Sequence, residues 1–202
     1  MAPSKTQSAS TGQQFSSLKL ALRTSRLELI AATLPLVEAE LAGPDHLAAS
    51  LQAEVGSWPP PLNDENSLRW TYEKLAAHPE QAGFFVWYII LVEQEQRKLI
   101  GLVGLKGPPD QDGSIEAGYS VVEDFQRQGI GTEATRVLIG WGFEDPRVQQ
   151  VTAETLPELR PSIRVMERCG MSFQGIGSEP GTIRYGITRK QFENGVPNSA
   201  PS

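Results

Sequence analysis

One stretch, residues 115–141, IEAGYSVVEDFQRQGIGTEATRVLIGW, constrains the fold more than any other part of the chain. Residues 115–122 carry the apolar and β-branched content of a strand, and Ile130, Ala134, Val137, Leu138 and Trp141 recur on one helical face. Between them lies a polar turn with the pattern Q-x-x-G-x-G, formed by Gln126, Gly129 and Gly131. A strand that feeds a helix and then a further apolar strand, residues 148–155, reads as a βαβ crossover. The two glycines remove Cβ atoms where a ligand approaches the backbone. The helix start leaves N–H groups without intrahelical partners at the positive end of the dipole, so the turn is a candidate phosphate cradle.

The flanking chain reads as β, helices, β-β-β, then this crossover, then a helix and two last strands. A first strand covers residues 27–31, followed by helix-prone segments at 34–41 and 46–55, with Asp45 as a cap for the second. The run GSWPPP at 56–61 excludes regular structure, because consecutive prolines fix φ and remove donors. Leu68, Tyr72, Leu75 and Ala76 define a third helix that stops before Pro79. Residues 84–92 form a strand buried on both faces, and residues 99–105 return beside it as a hairpin. Pro161 suits a helix start, and that helix runs over residues 162–168 to Gly170; strands at 171–176 and 182–188 close the order. The expected architecture is a mixed α/β sheet with antiparallel hairpins and at least one βαβ unit.

Composition bounds the function. With 202 residues the chain has length for one domain with a real core, and a net charge of −6 lacks the basic face that nucleic acid requires. No apolar run reaches membrane-span length. The first residues carry no apolar stretch of a secretory signal, and a single Cys169 excludes an intrachain disulfide framework and fits a reducing, cytoplasmic setting. One cysteine and two histidines argue against a zinc site, so no metal is expected. Residues 1–17 and 194–202 read as disordered tails around a domain at 18–193.

The glycine loop by itself admits several readings. Gly129, Gly131 and Ala134 also fit the dinucleotide fingerprint G-x-G-x-x-A, with Glu154 near the expected ribose-binding acid. Against that, residues 123–128 separate the strand from the first glycine, and the preceding strands lack crossover helices. No G-K-S/T follows, so a Walker loop is excluded. A glycine turn with no ligand is the remaining reading.

Several further stretches, in order, resemble the GNAT family of N-acetyltransferases. Gln126, Gly129 and Gly131 fill the fixed positions of its Q/R-x-x-G-x-G/A loop. Glu116-Ala117-Gly118-Tyr119 resembles the I-x-I/L-G-Y strand of the ribosomal-protein-acetyltransferase branch, and Thr132-Glu133-Ala134 its T-E-A helix start. The segment SIRVMERCGM at 162–171 is similar to that branch's S-x-R-V-L-E-K-x-G-F helix, and Arg23-Thr24-Ser25-Arg26-Leu27 to its opening T-x-R-L strand. The resemblance spans about residues 18–192. Three positions depart: Leu159 stands for an asparagine, Ser120 for a bulky aromatic, and Met171 for the phenylalanine.

The resemblance implies a mostly antiparallel sheet of about seven strands flanked by helices, with splayed central parallel strands. It also implies acetyl-CoA as cosubstrate and a primary amine as acceptor, in a monomer or homodimer. Backbone groups of Gln126, Arg127, Gln128, Gly129, Ile130, Gly131 and Thr132 would then hold the pyrophosphate, and those of Tyr119, Ser120, Val121 and Val122 the pantetheine arm. Glu116 is the candidate base; its other roles are orienting the substrate ammonium or pairing with a cation. Ser162 is the candidate donor to the leaving sulfur, or a helix-start serine serving backbone N–H groups. Trp58 and Trp70 are placed in the acceptor pocket or the core. The alternative within this family is an acyl-CoA-binding module without turnover.

Overall fold

The computed structural model describes residues 19–195, and the two terminal segments expected to be disordered fall almost wholly outside that range. The elements run β1 Ala21–Arg23, β2 Leu27–Ala31, α1 Leu34–Ala42, α2 Pro44–Leu51, β3 Glu54–Val55, α3 Glu65–Ala77, β4 Val86–Glu93, β5 Gln96–Leu105, β6 Ser114–Val121, α4 Ile130–Glu144, β7 Gln150–Thr155, α5 Arg160–Arg168, β8 Ser172–Ile176, β9 Ile183–Thr188 and α6 Arg189–Gly195. Strand order is β1-β2-β4-β5-β6-β7-β9-β8, with β3 added beside β5. Only β6–β7 and β3–β5 are parallel; every other pair is antiparallel.

Each face of this sheet carries its own core. Alternate side chains of β4 go to opposite sides, as strand pleating requires. Trp87, Ile89 and Leu91 join Leu27 and Leu29 of β2, Ile115 and Ala117 of β6, and Ile130, Ala134, Leu138 and Trp141 of α4. Tyr88 and Ile90 point the other way, to Val37 of α1, Leu47 and Leu51 of α2, and Leu75 of α3. Trp141 wedges edge-on against Phe84 and Trp87, with ring centroids 5.1 and 5.2 Å apart. The helical stripe read from α4 is therefore the seam that fixes it to the sheet.

Three expectations need correction. The sheet has nine strands rather than about seven, because β1 and β3 are three and two residues long and too short to show a period. The second helix stops at Leu51, where Gln52 takes a left-handed φ of 50°, and Glu54–Val55 then pair with β5. Residues 189–195 form α6, so the domain runs past residue 193. Arg189 at its start donates to the carbonyls of Phe143, Asp145 and Val148, closing the end of α4.

Candidate active site

The two central strands part company early. β6 pairs with β7 only over Ser114, Ile115 and Glu116, while residues from Ala117 to Val121 pair with β5 alone. Backbone groups alternate between edges along a strand. Glu116 O accepts from Lys106 N and Val122 N donates to Ile100 O, both at 2.9 Å, so Glu116, Gly118, Ser120 and Val122 direct their peptide groups to β5. Tyr119 and Val121 direct theirs to the open edge. Of the four residues expected to meet a pantetheine arm, Ser120 and Val122 thus have their backbone groups committed to the ladder. On the open edge, Val121 O already accepts from Gln126 Nε2 at 2.9 Å.

Gln126 consequently serves the loop rather than reaching out of it. Gln128 Nε2 bonds Asp124 O at 3.0 Å, and Arg26 Nη2 bonds Gln128 O at 2.9 Å. Gly129 caps α4 with φ of 81°, a left-handed conformation that disfavours any side chain with a Cβ. Glu133 N to Gly129 O, 3.0 Å, is the first bond of the helix. The amides of Ile130, Gly131 and Thr132 precede it and point out of the N-terminus, which is the geometry for an anion. Glu133 lies in the same turn, and its carboxylate is neutralised by Arg26 Nε at 2.8 Å and bonded by Thr24 Oγ1 at 2.5 Å. Gly131 has no such backbone need: a Cβ there would sit 3.8–3.9 Å from Tyr119, Val121 and Val165, in the gap between α4, β6 and α5. Arg127 has φ of 61° and forms no ion pair among the described residues.

Ser162 and Tyr119 come together across this gap. The Tyr119 hydroxyl lies 2.8 Å from Ser162 O and 2.9 Å from Ser162 Oγ. If the phenol proton goes to the carbonyl, the serine hydroxyl donates to the phenol oxygen. Burial pushes the Tyr119 pKa up to about 12, so the phenol stays protonated. Ser162 is not the cap of α5; Leu159 occupies that position and makes no side-chain cap bond. Cys169 is buried and its thiol is raised to about 11 by that burial, which removes it as a nucleophile.

On the opposite face of the sheet lies a cleft of ≈ 1260 Å³, walled by α1, α3, the proline run and the middle of β4, β5 and β6. It meets β6 at Gly118, Tyr119 and Ser120. A Cβ on Gly118 would meet nothing within 4 Å, so the strand backbone lies bare to the cleft. Ser120 Oγ donates to Pro61 O at 2.6 Å, which ties the proline run across the strand. The departure from a bulky aromatic at this position therefore has a structural use. Trp58 and Trp70 both line the cleft, and Trp58 packs against the core of that face as well.

Glu116 forms an ion pair with Lys106 Nζ, and its side chain is 21% exposed. Of the pair, Lys106 lines the cleft. Glu154, the acid weighed as a ribose ligand, is consumed within the β8–β9 turn, accepting from Ser178 N, Ser178 Oγ, Thr182 Oγ1 and Arg184 Nε. With that acid spoken for and the sheet mostly antiparallel, the dinucleotide reading keeps only its glycine spacing.

Sequence reasoning passed over Glu40. Its carboxylate reaches into the cleft from α1, accepting from Trp58 Nε1 and Tyr88 OH at 2.7 Å each. Burial raises its pKa above the ordinary 4.5, and the two hydrogen bonds only partly oppose that. The signal available in the sequence was spacing: Glu40 follows the apolar Val37 by three residues, which puts a carboxylate on the buried face of a helix.

The site thus joins a β-strand opened beside a glycine-capped helix on one side of the sheet to a cleft that reaches the same strand on the other. The chain belongs to the GNAT family of acetyltransferases: the model of the acetyltransferase (GNAT) domain matches residues 35–172. It is an N-acetyltransferase that depends on acetyl-CoA. The uncharacterized N-acetyltransferase YjdG of Bacillus subtilis strain 168 is 28% identical over 152 residues, covering 74% of this chain and 88% of that protein. Among solved structures, the ribosomal-protein-S5-alanine acetyltransferase of Vibrio fischeri superposes with TM-score 0.59 at 16% identity, over 84% of this chain and 97% of that one. The microcin C7 self-immunity acetyltransferase MccE, solved with acetyl-CoA and AMP, gives TM-score 0.57 at 16% identity, over 82% and 93%. Those two likenesses speak for the fold. Among the described residues no helix is long and apolar enough to cross a membrane.

Proposed function

We propose that the chain transfers the acetyl group of acetyl-CoA directly to a primary amine bound in the cleft. The observation that carries this reading is the meeting of the opened strand edge and the cleft at Gly118–Tyr119 of β6. Acetyl-CoA supplies an activated thioester; the protein's part is to hold, align and move protons. The amides of Ile130, Gly131 and Thr132, with the dipole of α4 behind them, hold the pyrophosphate. The free edge at Tyr119 and Val121 receives the pantetheine amides as a partial strand, and Gly118 leaves room for the amine to approach.

The amine must arrive neutral, and the departing thiolate needs a proton or a hydrogen bond. Glu116, on the cleft face of β6 and paired with Lys106, is the base in this reading and acts through water. The Tyr119–Ser162 pair supplies the donor at the other end: with the phenol proton turned to Ser162 Oγ, the serine hydroxyl keeps its own proton for the sulfur. The acceptor named for the Vibrio fischeri neighbour is an alanine of a ribosomal protein, which accords with a primary amine. The test is thiol release from acetyl-CoA across a panel of primary amines and peptides, with products weighed by mass spectrometry. Amine-dependent thiol release and an acetylated product are expected. Tight acetyl-CoA binding with no release for any amine would instead mark a binding module.

A further inference from the structure

Glu40 sits badly for its own helix. It lies in the last turn of α1, where the helix's partial negative charge opposes a carboxylate, and no basic residue occupies that turn. Its oxygens accept only from neutral groups, the Trp58 indole and the Tyr88 phenol. Among the described residues no lysine, arginine or histidine forms an ion pair with it. Its neighbours on the cleft wall, Val37, Leu41 and Leu47, are apolar. A carboxylate placed so is unfavourable until a cation joins it.

The surroundings suit an organic cation. The rings of Trp58 and Tyr88, 6.4 Å apart at 38°, meet the carboxylate with their polar edges and line the cleft beside it with their apolar bodies. The two basic residues of the cleft are already engaged, Lys106 by Glu116 and Arg69 by Glu65. The acids Asp64 and Glu179 add further negative charge to its rim.

Sheet register says which part of an acceptor this carboxylate reads. Tyr88 pairs with Leu102, and Leu102 with Ser120, so the three form one row across β4, β5 and β6. The backbone of Tyr88 therefore stands about two strand spacings, roughly 10 Å, from the strand where transfer occurs, and Glu40 lies at the tip of that side chain, off the sheet. That is too far for the reacting nitrogen. We propose that Glu40, with Trp58 and Tyr88, holds a second cationic group of the acceptor. The preferred substrate class is then a primary amine joined through an apolar spacer to another amine or a guanidine. This rests on the transfer reading given above.

The test compares diaminooctane, whose extended length matches that separation, with octylamine, using the full chain and its Glu40→Gln variant. Wild type is expected to favour the diamine in kcat/KM by about tenfold to a hundredfold, mostly through KM, as befits a hydrogen bond to a charged group. Glu40→Gln should bring the two amines level in kcat/KM, chiefly by raising the KM for the diamine. Tyr88→Phe keeps the carboxylate and should keep a diamine preference. No preference in wild type, a preference that survives Glu40→Gln, or an equal loss for both amines would overturn the assignment, the last by marking Glu40 as a prop for Trp58. Calorimetric titration of both amines into CoA-saturated protein separates the two readings. Glu40-dependent diamine binding without thiol release would keep the anchor and sink the transfer. Absence of that binding preference would sink the anchor whatever the turnover.

Discussion

Glu116, Glu40 and Glu154 carry one side chain into three different environments. Glu116 has a lysine partner, Glu40 has only neutral donors, and Glu154 has an arginine, two hydroxyls and a backbone amide. For Glu116 the expected outcome is a fall in kcat of about 10²-fold in Glu116→Gln, the low end for a general base, with the Kd for acetyl-CoA unchanged by calorimetry. A kcat near wild type would leave Glu116 as the partner of Lys106 and nothing more. For Glu154 the consequence is stability. Its side chain is 6% exposed; burial raises its pKa, but the bonds from Ser178, Arg184 and Thr182 win and hold it down at about 2. A depressed folded pKa gives stability that is present above the ordinary 4.5 and lost as pH falls towards about 2. Urea unfolding should show that acid loss in wild type and a flatter profile over the same window in Glu154→Gln. The sequence named Glu116 and Glu154 because motif spacing pointed at them, Glu154 only as the ribose acid of the dinucleotide alternative, and the β8–β9 turn takes that carboxylate up. Glu40 belongs to no motif, and only the meeting of α1 with Trp58 and Tyr88 distinguishes it.

At the scale of elements, the cradle depends on β2 as much as on its own loop. Arg26, just before β2, bonds both Gln128 O and the Glu133 carboxylate at the start of α4. Without it Glu133 would stand as an unbalanced negative charge beside the anion site. Arg26→Met should therefore weaken acetyl-CoA binding by up to about tenfold, more at low salt than at high, since a partly exposed pair is screened. Equal affinity for the variant at low salt would show that the loop holds its shape alone. The βαβ unit was legible because α4 repeats apolar residues over four turns and Gly129 interrupts the polar loop at its cap. The splay of β6 from β7 was not legible in periodicity, since Ala117 to Val121 look like any strand; the family resemblance supplied it. Nor were β1 and β3, whose two or three residues leave no pattern, or α6, whose first residue acts through tertiary bonds to the end of α4.

The molecule as a whole divides its labour by sheet face. Beneath α4 and α5, the larger core anchors the glycine loop; beneath α1, α2 and α3, the second core leaves the cleft open. β6 is the one element common to the opened edge and the cleft. Sequence order and motif order together conveyed this plan, but the chemistry of the cleft depends on residues brought in from α1 and the proline run, far from the motifs. The central claim is that the α4 N-terminus, set by Gly129, binds the acetyl-CoA pyrophosphate. Calorimetric titration of wild type and Gly129→Val with acetyl-CoA, and separately with NADH, tests it most directly. A branched side chain forced to a φ of 81° costs about 1–3 kcal/mol and turns the amides away. Acetyl-CoA should bind wild type, NADH should not, and the variant should lose about tenfold or more in affinity while still unfolding cooperatively. Undiminished binding of acetyl-CoA to Gly129→Val, or binding of NADH alone, would contradict the account.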